Sequence, residues 1–145
     1  MRSGAPFALR LDVQKAAATT GELFFEERGQ GPNGEVGIIA ANPSLFGDMV
    51  LARKDTPASY HLAVVVDDAF QSVTLVTRGN DLFAATPVQR LLQALLSLPI
   101  TAYAHHRLVL DEQGKKFSKR DNAVTLQSLR TEGVTAGEIR ERIGL

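Results

Sequence analysis

"SVTLVTRGNDLFAATPVQRLLQALLSLPITAYAHHRLVL", residues 72–110, changes its hydrophobic rhythm twice. Residues 72–79 read as a buried strand that ends in Arg78 and Gly79. "TPVQRLLQALLSL" (86–98) reads as a helix, with Thr86 as N-cap and Pro87 at the first helical position. Leucines at 91, 92, 95, 96 and 98 supply its apolar stripe. Residues 102–110 return to strand composition. Strand, helix and strand in this order predict an α/β layer with parallel strands. Ligands of such sheets bind beyond the carboxyl ends of the strands, where Arg78 falls. Its guanidinium fork suits a carboxylate, and a plain pairing with Asp81 is the alternative.

Outward from this unit, "PASYHLAVVVDDAFQ" (57–71) is expected to be a helix, although its valines also fit a strand. The residues before it look β-rich: "FALRL", "ELFFEE", "VGII" and "MVLAR" have strand composition, and "DVQKAAA" offers a helical turn. "RGQGPNGE" is a turn whose Asn33-Gly34 pair suits positive φ. On the far side, "DEQG" turns the chain into "KKFSKR" (115–120), and two short helices follow. The last opens with a capping-box pattern from Thr135 to Glu138.

Composition narrows the function classes. With 145 residues the chain has the size of one ordinary domain. Sixteen basic residues balance sixteen acidic ones, so bulk charge points to no general nucleic-acid or membrane binding. The distribution is uneven: residues 73–145 hold 10 basic and 7 acidic residues, against 6 and 9 in residues 1–72. An anion site is therefore expected in the second half. Without cysteine there is neither a disulfide nor a thiolate zinc site. His105 and His106, adjacent in a strand, point to opposite faces and make a poor metal pair. No apolar run has the length of a membrane span and "MRSGAPFALRLD" has no signal-peptide core, so the expected location is cytoplasmic.

Two groups of residues could carry chemistry. Lys115, Lys116, Ser118, Lys119 and Arg120 follow a glycine turn and can gather donors around a phosphate, with Phe117 anchoring the loop. The plainer reading is a hairpin tip kept soluble by lysines. Tyr60, His61 and the Asp67-Asp68 pair lie on the expected helix 57–71, where paired acids usually mark a helix end or a solvated turn. No G-x-G-x-x-G or P-loop accompanies them, and the α/β pattern looks like the second half of a nucleotide-binding fold.

Five blocks in order give these residues a context: R-x-D-x-x-x-x-Y-x-L-A, V-V-D-D, a strand ending R-G-x-D, T-P-x-Q, and K-x-S-K. Together they resemble the second half of the catalytic domain of class I glutamyl-tRNA synthetases. The likeness is greatest to their shortened relatives, the glutamyl-queuosine tRNA(Asp) synthetases. "KFSKR" is similar to the class I "KMSKS" signature. The resemblance implies the second half of a Rossmann-type fold: a β-rich connective insertion at 1–55, the catalytic half at 56–122, and short C-terminal helices at 123–145. By the same resemblance, Tyr60 and Arg78 hold glutamate, with Arg78 on its side-chain carboxylate. Lys116, Ser118 and Lys119 form the mobile ATP loop, and Lys119, the catalytic residue, meets the triphosphate. ATP with Mg2+ would activate glutamate as glutamyl-adenylate, and tRNA, expected to be tRNA(Asp), would receive it. Discriminating synthetases have an asparagine four residues after the tyrosine; Val64 stands there, in agreement with the queuosine-modifying group.

The family's "HIGH"-like loop is not found in the 145 residues. The expectation is a fragment that is inactive alone and needs the missing N-terminal half of its catalytic domain. That half would cover an exposed sheet edge, which otherwise invites self-association. The competing readings are a truncated glutamyl-tRNA synthetase and a non-catalytic RNA- or protein-binding remnant.

Overall fold

The computed structural model describes residues 7–111, 114, 116, 117 and 124–145. They fall into two compact units, one ending at Arg107 and the other running from Leu108 to Leu145. The first is a mixed α/β unit. Its elements in chain order are β1 (Ala8–Leu11), α1 (Val13–Thr20), β2 (Leu23–Glu27), β3 (Gly37–Ala41), β4 (Met49–Arg53), α2 (Tyr60–Phe70), β5 (Leu75–Gly79), α3 (Thr86–Leu95) and β6 (Ala102–His106).

Four strands form one sheet in the order β3-β2-β6-β5. β5 and β6 run parallel, joined through α3 as the alternation predicts, and β2 runs parallel to β6. β3 returns antiparallel to β2, through the turn in which Gly34 takes the positive φ expected of an Asn-Gly pair. β1 and β4 pair separately as an antiparallel ribbon. The two segments divided at residue 55 in the sequence reading therefore share a sheet, since β2 and β3 of the first lie beside β6 of the second.

α3 is the centre of this unit. Val88, Leu91 and Leu92 join Val13, Ala16, Leu23, Met49 and Val65 in the core. The helix packs against α1, α2 and β2, so even its polar Gln89, Arg90 and Gln93 are buried. Arg90 survives burial by donating from Nε to the Phe24 carbonyl at 2.9 Å. Two details differ from the sequence reading. Thr86 is already helical, with Ala85 at the cap position, and the helix ends at Leu95 with Ser97 in the left-handed region at φ 54°. The strand expected over 102–110 stops at His106.

α2 matches its expectation: Ser59 caps it by accepting from the Leu62 N–H at 3.3 Å. Its Val64 packs on the core cluster.

In the second unit, Leu110 and Lys116 form an isolated antiparallel bridge. α4 (Leu126–Thr131) and α5 (Ala136–Ile143) follow, each opened by a reciprocal capping box, at Thr125 with Ser128 and at Thr135 with Glu138.

Beyond β2 the backbone stays against β6. Arg28 N–H donates to the Tyr103 carbonyl at 2.7 Å and Gln30 N–H to the His105 carbonyl at 3.0 Å. Gly29, between them, has no room for a side chain: a Cβ there would collide with the backbone O and N of His105. Backbone cannot rotate aside as a side chain can. Gly29→Ala is therefore expected to destabilise the fold by at least about 2 kcal/mol. The midpoint of denaturant unfolding measures this, and an unchanged midpoint would mean that β2 and β6 separate here at little cost.

Candidate anion site at the strand ends

Three neighbouring strands end in a row of polar side chains. On β2, Leu23, Phe25 and Glu27 share the buried face, so the alternation that buries two apolar residues also buries an acid. On β6, Tyr103 and His105 do the same. Register places Glu27 opposite Tyr103 and Arg78 opposite His105. Glu27, His105 and Arg78 thus line up across β2, β6 and β5, and all three are buried.

Their hydrogen bonds form a chain. Glu27 Oε1 accepts the backbone N–H of His105 at 2.8 Å and of Gly29 at 2.9 Å, and Oε2 faces Nδ1 of His105. Nε2 of His105 accepts from Arg78 Nε at 3.0 Å. The first turn of α3 completes the cradle. Arg78 donates from one terminal nitrogen to Gln89 Oε1 and from the other to Thr86 Oγ1, both at 2.6 Å. Thr86 and Gln89 are three residues apart and so share one face of the helix. This is why Thr86 does not cap: its hydroxyl is occupied by Arg78.

The guanidinium also lies over the Tyr103 ring, 4.8 Å from its centroid. Tyr60, the first residue of α2 and half exposed, lies near enough to pull the Arg78 pKa upward. The neighbouring His61 approaches Gln89 Nε2 through Nδ1 at 3.4 Å and packs edge-on against Phe46. The structure thus brings Tyr60 and Arg78 together.

Arg78 is 8% exposed, yet among the described residues no carboxylate lies within ion-pair distance of it. Asp81, its sequence-expected alternative partner, forms no such pair with it. Its three close acceptors, an imidazole, an amide and a hydroxyl, are neutral. Burial pushes its pKa down, against the opposing pull of Tyr103, Tyr60 and Asp68. Asp68, itself pushed up by burial, acts from a distance rather than by contact. A guanidinium has five N–H groups, so the three acceptors leave one on each terminal nitrogen, the pair that grips a carboxylate. The site is a buried cation with two N–H groups left over that could meet an anion.

Glu27, His105, Thr86 and Gln89 were not singled out as site residues by the sequence. For Glu27 and His105 a signal exists: each is a polar residue on the buried phase of a period-two strand. In the second unit, Lys116 and Phe117 are exposed, and Ser118 and Lys119 lie outside the described residues. No helix among the described residues is long and apolar enough to cross a membrane.

The family of tRNA synthetases class I (E and Q), catalytic domain, matches residues 33–143. A glutamyl-Q tRNA(Asp) synthetase of Rhodobacter capsulatus is 49% identical over 139 residues, which cover 95% of this chain and 49% of that protein. A glutamate–tRNA ligase of Aquifex aeolicus is 36% identical, over 91% of this chain and 26% of that protein. Among solved structures, a glutamate–tRNA synthetase from Elizabethkingia anophelis superposes with a TM-score of 0.55 and 27% identity, covering 71% of this chain and 20% of the other. The chain thus spans about half or less of the length of these relatives.

The buried histidine makes stability depend on pH. Burial, reinforced by Arg78, holds the His105 pKa below its usual 6.5 despite the pull of Glu27, and burial lowers His61 likewise. The unfolded chain then binds protons that the native state refuses, so stability falls as pH drops below about 6.5. Depressed carboxylates such as Glu138 add to this only at lower pH, below their usual 4.5. Between pH 7.5 and 5.0 the thermal midpoint should decline; a flat or rising profile would contradict a neutral His105.

Proposed function

Because this chain belongs to the class I tRNA synthetase (E and Q) catalytic-domain family, we propose that its Arg78 site holds the side-chain carboxylate of glutamate during ATP-dependent activation and transfer to tRNA. The observation that carries this reading is a buried guanidinium held by neutral acceptors, with no carboxylate against it among the described residues. A bound carboxylate would supply the missing charge, and Tyr60 would add one hydrogen bond at the mouth of the site.

In the proposed reaction the glutamate α-carboxylate oxygen attacks the α-phosphorus of ATP. The bond to pyrophosphate breaks, and glutamyl-adenylate forms. An acceptor hydroxyl on the RNA then attacks the activated carbonyl and releases AMP. Arg78 orients the amino acid by its far end, away from the reacting carboxylate, so its contribution falls on glutamate selection. Lys116, Ser118 and Lys119 are assigned to the triphosphate, where negative charge gathers on the leaving pyrophosphate. Magnesium is taken to arrive with ATP as its counter-ion; the described residues contain no cluster of three or more acids and histidines suited to hold it.

The relative with 49% identity carries the name glutamyl-Q tRNA(Asp) synthetase, which favours queuosine-bearing tRNA(Asp) as the acceptor. Val64 agrees with this. A glutamate–tRNA ligase is the second reading, supported by the Aquifex relative. Glutamate transfer to tRNA(Asp) or to tRNA(Glu) separates them. The match covers 49% of the Rhodobacter relative, so the proposed reaction is that of the whole catalytic domain. β5 lies at the edge of the described sheet, where added strands, or a second copy, would pair.

In the complete catalytic domain, Arg78→Ala should weaken glutamate binding by about 2–5 kcal/mol, as when a desolvated ion pair loses one partner. Arg78→Lys should rescue poorly, because an ammonium cannot satisfy three acceptors and a carboxylate in the same plane. Tyr60→Phe should cost only about 0.5–1.5 kcal/mol. Glutamate-dependent ATP–pyrophosphate exchange measures the order, and a harmful Tyr60→Phe beside a mild Arg78→Ala would overturn the assignment. Lys119→Ala should lower the same exchange on the order of 10²–10³-fold without unfolding the protein, while near-normal turnover would return the segment to a charged turn.

A further inference from the structure

Three acceptors orient Arg78, and the one on its Nε side is an imidazole, which can accept only in one protonation state. An imidazole nitrogen that accepts a hydrogen bond carries no proton, so the 3.0 Å contact from Arg78 Nε requires His105 Nε2 to be bare. In a neutral ring the proton then sits on Nδ1, the nitrogen facing Glu27 Oε2. Glu27 cannot turn away, because its other oxygen is held by two backbone N–H groups, of His105 and Gly29. The ring plane is fixed as well: Tyr103 stacks on it with an interplanar angle of 16° and Phe83 meets it edge-on at 5.0 Å.

The geometry points to Glu27 and His105 as positioning residues: Glu27 sets the His105 tautomer, and the bare Nε2 turns the Arg78 guanidinium so that its two terminal nitrogens present to the carboxylate ligand. This rests on the reading of Arg78 as the glutamate clamp. It goes beyond it by placing part of glutamate selectivity on two residues that do not touch the amino acid. A pair serving only stability could equally be a doubly protonated imidazolium on Glu27. A positioning pair requires the neutral ring with Nε2 bare.

Protonation is the natural way to break the device. A proton on Nε2 would set an N–H against the N–H of Arg78 and force the guanidinium out of place. The titratable and charged groups around the ring are Glu27 on β2, Arg78 on β5, and Tyr103 and His106 on β6. Only Glu27 favours the proton. Glutamate affinity is therefore expected to fall on acidification more steeply than ATP affinity does.

The test has two arms. Nitrogen-15 spectroscopy of His105 in the full chain, without ligand at pH 7, should show a protonated Nδ1 and a bare Nε2. A protonated Nε2 overturns the proposal and leaves the Arg78 reading untouched. The second arm compares His105→Gln with His105→Phe in the exchange-active enzyme. A glutamine amide can donate to Glu27 and accept from Arg78, as the imidazole does, whereas phenylalanine keeps only the stacking. His105→Phe should raise the KM for glutamate about 10- to 100-fold, the loss of one hydrogen bond to a charged group, with the KM for ATP little changed. His105→Gln should restore most of that loss. Glu27→Gln, which presents an N–H₂ to Nδ1 and favours the other tautomer, should behave like His105→Phe. Equal glutamate KM values for the two His105 variants would make the pair merely structural. Failure of Arg78→Ala to affect glutamate would instead remove the clamp while the tautomer result stood.

Discussion

A cation taken out of water must be solvated by something else, and the arrangement around Arg78 follows from that requirement. Its guanidinium is met by an imidazole, an amide and a hydroxyl, each contributed by a different position on β6 or α3. For these three to converge, β5 and β6 must end in register and α3 must start directly above them. The 3-10 turn Asn80–Ala85 between β5 and α3 supplies that geometry. A carboxylate lies one imidazole away, on Glu27, which ties β2 to the same point. Neutral acceptors and a relayed charge stabilise the buried cation without neutralising it. That incomplete compensation is the ground for proposing that the site takes an anion.

The rest of the unit supports this end of the sheet. α3 is buried on nearly all sides, with leucines toward α1 and α2 and with Thr86 and Gln89 toward the guanidinium. Gly29 lets the chain after β2 run close beside His105, so that its own N–H can hold the Glu27 carboxylate. Tyr60 is carried to the mouth by α2, whose Val65 is anchored in the core. Apolar packing and polar network thus share the same helices, and a loss of packing under α3 would be felt at Arg78.

The sequence made part of this legible. The strand–helix–strand order from 72 onward carried through to parallel β5 and β6, and the R-G-x-D block drew attention to Arg78 at a strand end. Thr86 was misassigned because a threonine before proline is the usual sign of a cap, and only the tertiary structure reveals a stronger claim on its hydroxyl. Glu27 and His105 went unnoticed as a pair because they lie 78 residues apart and each looks ordinary alone. The pairing of β2 with β6 was hidden for the same reason: local pattern identifies strands, while their neighbours depend on contacts distant in the chain. The lysines of "KKFSKR" carry the most recognisable motif, but Ser118 and Lys119 lie outside the described residues.

The central claim is that Arg78 receives a carboxylate while its cradle stays closed. A crystal structure of the complete catalytic domain with glutamate tests this most directly. The account predicts the side-chain carboxylate against both terminal nitrogens of Arg78, with Nε still donating to His105 and Tyr60 within hydrogen-bond reach. A glutamate whose side-chain carboxylate is bound elsewhere, or an Arg78 that leaves His105 to reach it, would contradict the account.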